Sequence, residues 1–204
     1  LSKIEPKEKR VAAFFDGQNL FRAAKESFGW SYPNYDPLRL SQAICSEKGW
    51  SLETVHFYTG IPDVSDSRHA FWTKKLLFME QQGIVVFKRQ LRYRNQEVSL
   101  PDGRKTTVLV GQEKGVDVRI ALDIVRLARQ AMFDVALIFS QDQDLSEVAD
   151  EVRAISDEQS RWIKIASAFP FGPASRNRRG INGTDWIKIE RTLYESCIDP
   201  NDYR

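Results

Sequence analysis

The sequence predicts an α/β fold in which a mostly parallel sheet is covered by helices on both faces. Short, continuous apolar runs at residues 11–15, 54–58, 84–87, 135–139 and 162–166 have the length and composition of buried strands. Longer stretches between them repeat their apolar residues at helical spacing. Strands separated by helices in this way make βαβ units, whose crossovers set neighbouring strands parallel.

Taken in order, residues 11–15 end at Asp16-Gly17, a strand closed by a turn. From Asn19 onward, Leu20, Phe21, Ala23, Ala24 and Phe28 keep helical spacing until Gly29. Asp36-Pro37 opens a second helix to about residue 47, since Asp is a favoured N-cap and Pro fits the first helical position. After the strand at 54–58, residues 67–82 form a helix on Ala70, Phe71, Leu76, Leu77 and Met79, stopped by Gly83 before the strand at 84–87. Residues 88–111 differ: Leu91, Tyr93, the turn signal Pro101-Asp102-Gly103 and the run 106–110 predict an inserted hairpin. A helix over about 116–131, a strand at 135–139, a helix at 145–155 and a fifth strand at 162–166 follow. Residues 169–183, with two prolines and three glycines, read as a mobile loop carrying Arg176, Arg178 and Arg179.

A chain of 204 residues is expected to form one domain, with its core at about 10–166 and a C-terminal extension at 167–204. Apolar content of 42% with 28% charged residues is that of a soluble globular protein, and no run approaches the roughly 20 apolar residues that span a bilayer. No membrane partner is therefore expected. The first ten residues are polar and charged, unlike a secretory signal, and Cys45 and Cys197 lack CxxC spacing. These features point to reduced thiols and a cytoplasmic location.

The net charge of +2 names no partner, but its distribution is informative. Between 88 and 105, Lys88, Arg89, Arg92, Arg94, Arg104 and Lys105 face only Glu97 and Asp102. Between 134 and 158, eight acids accompany a single Arg153. Kept apart by folding, these segments would place an acidic pocket beside basic surface, as a metal-dependent enzyme acting on a polyanion requires. Two solvated faces would give the same pattern.

Three segments concentrate the acids: Asp16-Gly17-Gln18-Asn19, Lys114-Gly115-Val116-Asp117, and Ser140-Gln141-Asp142-Gln143-Asp144. The first and third directly follow buried strands, and ligands of parallel sheets bind beyond the carboxyl ends of strands at a switch point in strand order. Gly17 would let the backbone turn closely around an ion or phosphate. Crowded carboxylates repel unless a cation lies between them, and hard cations such as Mg²⁺ or Mn²⁺ prefer such oxygen ligands. Each acid also has a local reading. Asp16 or Asn19 could cap the first helix, Asp117 the helix it opens, and Asp144 fits a capping box with Glu147. Asp142 has no such local role, and Ser140 could support it. Asp123, six residues after Asp117, cannot share its direction on a helix.

The order strand-Asp-Gly-x-Asn, then Lys-Gly-Val-Asp opening a helix, then strand-Ser-x-Asp-x-Asp resembles the NYN domain of the PIN-like nuclease superfamily, in particular its LabA-like branch. The resemblance covers most of the chain. It implies a Rossmann-like three-layer α/β/α fold and metal-dependent ribonuclease activity with Mg²⁺ or Mn²⁺. It implies that Asp16, Asp117 and Asp142 are catalytic metal ligands, Asp144 a further acid of the site, Asn19 a supporting residue, and Lys114 a phosphate ligand or a balance to the acids. Two departures stand in the third motif: Gln141 replaces the usual Gly and Leu145 the usual aromatic residue.

Other chemistries fit less well. A haloacid-dehalogenase phosphatase would have a second acid where Gln18 stands, and a Toprim domain would have Glu in place of Asp16. The P-loop, GxGxxG, HExxH and GxSxG motifs are absent, and His56 and His69 lack the companions of a zinc site. The rival from another class is an RNA-binding or interaction module on the same fold with weak or no catalysis. It would use Arg92, Tyr93, Arg94 and the cluster Arg176, Arg178 and Arg179 for phosphate contacts and stacking. Under either reading the partner is RNA or another nucleic acid, and homo-oligomerisation stays open.

Overall fold

The computed structural model describes residues 3–203; Leu1 and Ser2 of the charged N-terminal segment, and Arg204, lie outside the described residues. Six parallel strands form the main sheet in the order β3-β2-β1-β6-β7-β8: β1 (Arg10–Asp16), β2 (Ser51–Ile61), β3 (Val85–Gln90), β6 (Val135–Phe139), β7 (Lys164–Pro170) and β8 (Asp185–Ile189). The antiparallel pair β4 (Arg92–Ser99) and β5 (Lys105–Gln112) forms a separate two-stranded sheet, the hairpin foreseen between β3 and the next helix.

Alternation along the central strands explains the three layers. Val11, Ala13 and Phe15 of β1, with Val135, Leu137 and Phe139 of β6, bury one face against α1 (Gly17–Phe28), α2 (Pro37–Lys48) and α3 (Arg68–Gln81). Ala12, Phe14, Ala136 and Ile138 bury the other against α4 (Val116–Arg129) and α5 (Ser146–Glu158). Central parallel strands have no wet face, so they read as unbroken apolar runs. Helix boundaries follow the capping chemistry. Asp36 accepts hydrogen bonds from the amides of Leu38 and Arg39 ahead of α2, and Gly29 and Gly49 end α1 and α2 in left-handed backbone at φ 83° and 67°.

The C-terminal part departs from expectation. β7 begins two residues later than foreseen and runs on through Pro170, and β8 adds a sixth parallel strand at the edge, followed by a short helix α6 (Arg191–Ser196). The five-residue β8 has Asp185, Trp186 and Lys188 exposed, so it lacks the apolar continuity of the central strands. The segment between β7 and β8, expected as a mobile loop, is tied down by hydrogen bonds: Ser175 to Ser27 and Gly172, and Ile181 to Ser167.

The histidines occupy structural positions. His56 stacks on Phe14 with ring centroids 5.1 Å apart, and burial lowers its pKa. A ring nitrogen of His69 pairs with the Pro62 carbonyl. Cys45 and Cys197 are free and buried. No helix among the described residues is long and apolar enough to cross a membrane.

Candidate acidic site at the switch point

The chain runs outward from β1 through β2 to β3, then returns to the other side of β1 with β6. The crevice beyond the carboxyl ends of β1 and β6 is therefore the switch point, where crossovers leave in opposite directions. Asp16 ends β1, and Asp142 follows β6 by three residues.

Asp16 is buried at 6% exposure. Its Oδ1 accepts the amide of Asn19 at 3.0 Å and its Oδ2 accepts the Ser140 hydroxyl at 3.3 Å. Burial pushes its pKa up to about 6, against the pull of those two hydrogen bonds, and the nearby negative charge of Asp142 pushes the same way. Ser140 also accepts the backbone N–H of Asp142 at 3.1 Å, so one buried hydroxyl couples the acids of two strands. Asn19 completes the coupling, since its Oδ1 accepts the amide of Gln141 at 2.9 Å and fixes α1 to the turn after β6.

Gly17, which the sequence suggested as a close approach to an ion or phosphate, also serves packing. A Cβ there would come within 2.7 Å of the Phe57 ring and 2.9 Å of the Tyr58 carbonyl oxygen, so only glycine lets α1 start against β2.

The local roles divide differently from those expected. Asp16 caps α1, which begins at Gly17. Asp142 also caps: its Oδ1 accepts the Asp144 amide at 3.1 Å, because a 3-10 turn over Gln143–Leu145 precedes α5 and places the first open amide at Asp144. Asp144, expected as the cap, is exposed, and α5 starts from Leu145 with no side-chain cap. Asp117 does not cap α4 either; Gly115 holds that position in left-handed backbone at φ 70°. Asp123 is taken up by structure, with Arg119 and Arg126 each at 2.8 Å and the Tyr58 hydroxyl at 3.1 Å.

Glu113 is the acid that the motif reading passed over. It lies at the end of the hairpin segment, and its Oε2 accepts the backbone N–H of Gly60 from β2. Burial pushes its pKa up to about 7, and the charges of Asp16 and Asp117 act in the same direction. The signal was available, since Glu113 directly precedes Lys114-Gly115-Val116-Asp117, but only the fold brings it to the end of β2. Gly60 makes room for it, because a Cβ at Gly60 would stand 2.8 Å from Glu113 Oε2 and against Leu91. Arg22 of α1 is near enough for its charge to oppose the rise at both Asp16 and Glu113.

Asp16, Glu113, Asp117 and Asp142 thus form an electrostatically connected set of oxygen donors. Such a set suits a hard divalent cation, whose charge would offset the burial and repulsion that favour protons on Asp16 and Glu113. Among the described residues, no three acidic, histidine or cysteine side chains converge as a closed cage, so the set is open and side-chain rotation would be needed for several to reach one ion.

The basic residues are placed in separate regions. Lys114 is exposed beside the acids, with its carbonyl accepting from Arg89 at 3.2 Å. Arg92 and Arg94 alternate with Tyr93 on β4, and the Tyr93 hydroxyl receives the amide of Asp63 at 2.9 Å, anchoring the hairpin. In the β7–β8 segment, the amide of Arg176 donates to Glu26, and the Arg178 guanidinium lies 4.5 Å from the Phe171 ring. Gln141, the departure from the usual Gly, holds this segment: its Nε2 donates to the carbonyls of Asn177 at 3.2 Å and Arg179 at 2.8 Å. Gln143 adds a bond to the Gly180 carbonyl at 3.0 Å.

Comparison with known proteins agrees with this architecture. A protein of unknown function from Vibrio parahaemolyticus has a similar structure, with a TM-score of 0.50 at 14% identity, covering 92% of this chain and 98% of that one; this likeness concerns the fold alone. Ribokinase from Giardia lamblia (TM-score 0.34, 12% identity, 62% of this chain and 36% of that one) and MurG from Acinetobacter baumannii (0.35, 9%, 88% and 45%) are more distant. No curated protein matches the chain in sequence. The profile of the NYN domain matches residues 10–168, spanning all three acidic motifs, and the six-stranded parallel sheet is consistent with a PIN-like fold. The chain belongs to the NYN domain family, whose members are generally nuclease-like.

Proposed function

We propose that the protein is a metal-dependent ribonuclease that hydrolyses phosphodiester bonds within an RNA chain in the cytoplasm. One observation carries this reading: buried Asp16, with its proton affinity raised, lies at the switch point in electrostatic contact with Asp142 and Glu113. Asp16, Asp117 and Asp142 are the ligands proposed for Mg²⁺ or Mn²⁺, joined by Glu113 and by exposed Asp144. When bound, the ion supplies charge neutralisation at the phosphate and a lowered pKa for an attacking water.

The chain's own residues orient the acids and the strand. Ser140 and Asn19 hold Asp16 and the turn after β6 in register. Lys114, Arg92, Arg94, Arg176, Arg178 and Arg179 are proposed to contact phosphates flanking the scissile bond. The working unit is proposed to be one domain, with a core at about 10–166 and an extension at 167–204 that supplies the sheet's last strand.

The test is cleavage of single-stranded and structured RNA by purified protein in Mg²⁺ or Mn²⁺. EDTA or Asp142→Asn should each abolish cutting. Activity that persists in Asp142→Asn would move the chemistry to another site. The rival reading, an RNA-binding module without catalysis, draws support from the open placement of the acids. Binding without cutting across several RNAs would select it.

A further inference from the structure

A groove of about 850 Å³ adjoins the acidic site, bounded by α1, the α1–α2 connection, α3, the hairpin and the C-terminal residues. Gln18, Arg22 and Gly60 line it and also border the acids: Gln18 lies between Gly17 and Asn19, the charge of Arg22 reaches Asp16 and Glu113, and the amide of Gly60 donates to Glu113. Phe21, Tyr32, Phe71 and Trp72 contribute aromatic walls, and Leu91 and Leu109 come from the hairpin. Tyr32 is half exposed.

Asn34 gives a second, independent indication of a ligand. It lines the groove at 3% exposure; its Oδ1 accepts the Tyr194 hydroxyl at 2.8 Å, while its buried Nδ2 has no hydrogen-bond partner among the described residues. Buried amide donors are nearly always paired, so this one is a donor that an acceptor in the groove could satisfy once the side chain turns toward it. Of the groove's cations, Lys75 is matched by Asp199 at 2.7 Å and Arg68 by Asp66 at 2.6 Å, whereas Arg22 donates to the neutral Gln18 side chain at 3.1 Å and stands where a polyanion could use it.

We propose that this groove is a base-binding subsite that takes an unpaired nucleobase of a polynucleotide whose backbone crosses the acidic site. The aromatic walls stack the base, and the Asn34 amide donates to a carbonyl or ring nitrogen on its edge. Paired bases stay inside a duplex and cannot enter, so the groove selects single-stranded segments. This inference rests on the nucleic-acid reading of the acidic site.

The test measures fluorescence anisotropy of a labelled single-stranded RNA with the full chain carrying Asp142→Asn, in EDTA. The same strand annealed to its complement, and an abasic version, serve as comparisons. The single strand should bind at least roughly ten-fold more tightly than the other two, and Trp72→Ala or Tyr32→Ala should each weaken it by roughly ten-fold. Trp72→Phe keeps an aromatic face and should retain binding. Because Tyr32 is half exposed, its variant tests the groove even if Trp72→Ala fails to fold. Equal affinity for single strand, duplex and abasic strand, or undiminished binding by Tyr32→Ala and Trp72→Ala, would overturn the proposal. The readout is independent of cutting: wild-type cleavage with unaffected groove variants removes the subsite alone, and groove-dependent binding without cleavage removes the nuclease reading alone.

Discussion

The Ser140 hydroxyl donates to Asp16 Oδ2 at 3.3 Å while accepting the Asp142 amide at 3.1 Å, so a single buried side chain links the acids that end β1 and follow β6. Ser140→Ala removes both contacts and leaves the Asp16 carboxylate less supported. Metal-ligand carboxylates that lose an outer hydrogen bond lose roughly 10- to 100-fold in metal affinity or activity. The Mn²⁺ concentration giving half-maximal cutting should rise by about that factor, measured by titration at fixed RNA.

Burial pushes the pKa of Asp16 up to about 6 and that of Glu113 up to about 7, from their ordinary values of 3.8 and 4.5. Between the ordinary and raised values, the folded state binds more protons than the unfolded one, so metal-free stability should fall as pH rises from about 4 to 7. Mn²⁺, the ion proposed for the ionised acids, should stabilise the fold increasingly through the same window. Thermal melts with and without Mn²⁺ at pH 5 and pH 7.5 check this. Asp16→Asn should melt higher than wild type at pH 7.5 without metal and gain little from Mn²⁺.

Gln141 bonds the carbonyls of Asn177 and Arg179 and thereby holds the arginine segment against the turn after β6. Gln141→Gly restores the residue usual in the motif but loses both bonds. It should cost about 1–3 kcal/mol in urea denaturation and speed amide exchange between 176 and 180. RNA affinity should fall with it, if the segment contacts phosphate.

Lys75 and Asp199 form a buried pair at 2.7 Å, with the Tyr203 hydroxyl donating to the same Asp199 oxygen at 2.8 Å. This pair fastens the C-terminal residues to α3. Lys75→Met leaves a buried carboxylate unpaired and should destabilise the fold by about 3–5 kcal/mol, read from the urea midpoint. Adding Asp199→Asn should recover part of the loss.

Arg92 and Arg94 are exposed on the hairpin. Replacing each by Ala should reduce the slope of log affinity against log salt by about 0.7–0.9. Filter binding across a salt series gives the slopes. Unchanged slopes would place the phosphate path on the other arginine segment.

By itself the sequence determined the layers and named the candidate acids. Apolar runs without alternation required buried parallel strands, and Asp36-Pro37 placed the start of α2 at the residue observed, because caps are local chemistry. The ordered motifs at Asp16, Asp117 and Asp142 pointed to the NYN family. Tertiary structure decided what local pattern could not. β8 is an edge strand with little apolar signal, and it exists because β7 offers it a partner. Capping fell to Asp142, in place of Asp144, because the 3-10 turn moved the open amides. Glu113 joined the acids only when α4 and β2 came together, since its raised proton affinity reflects burial and charges from other parts of the chain.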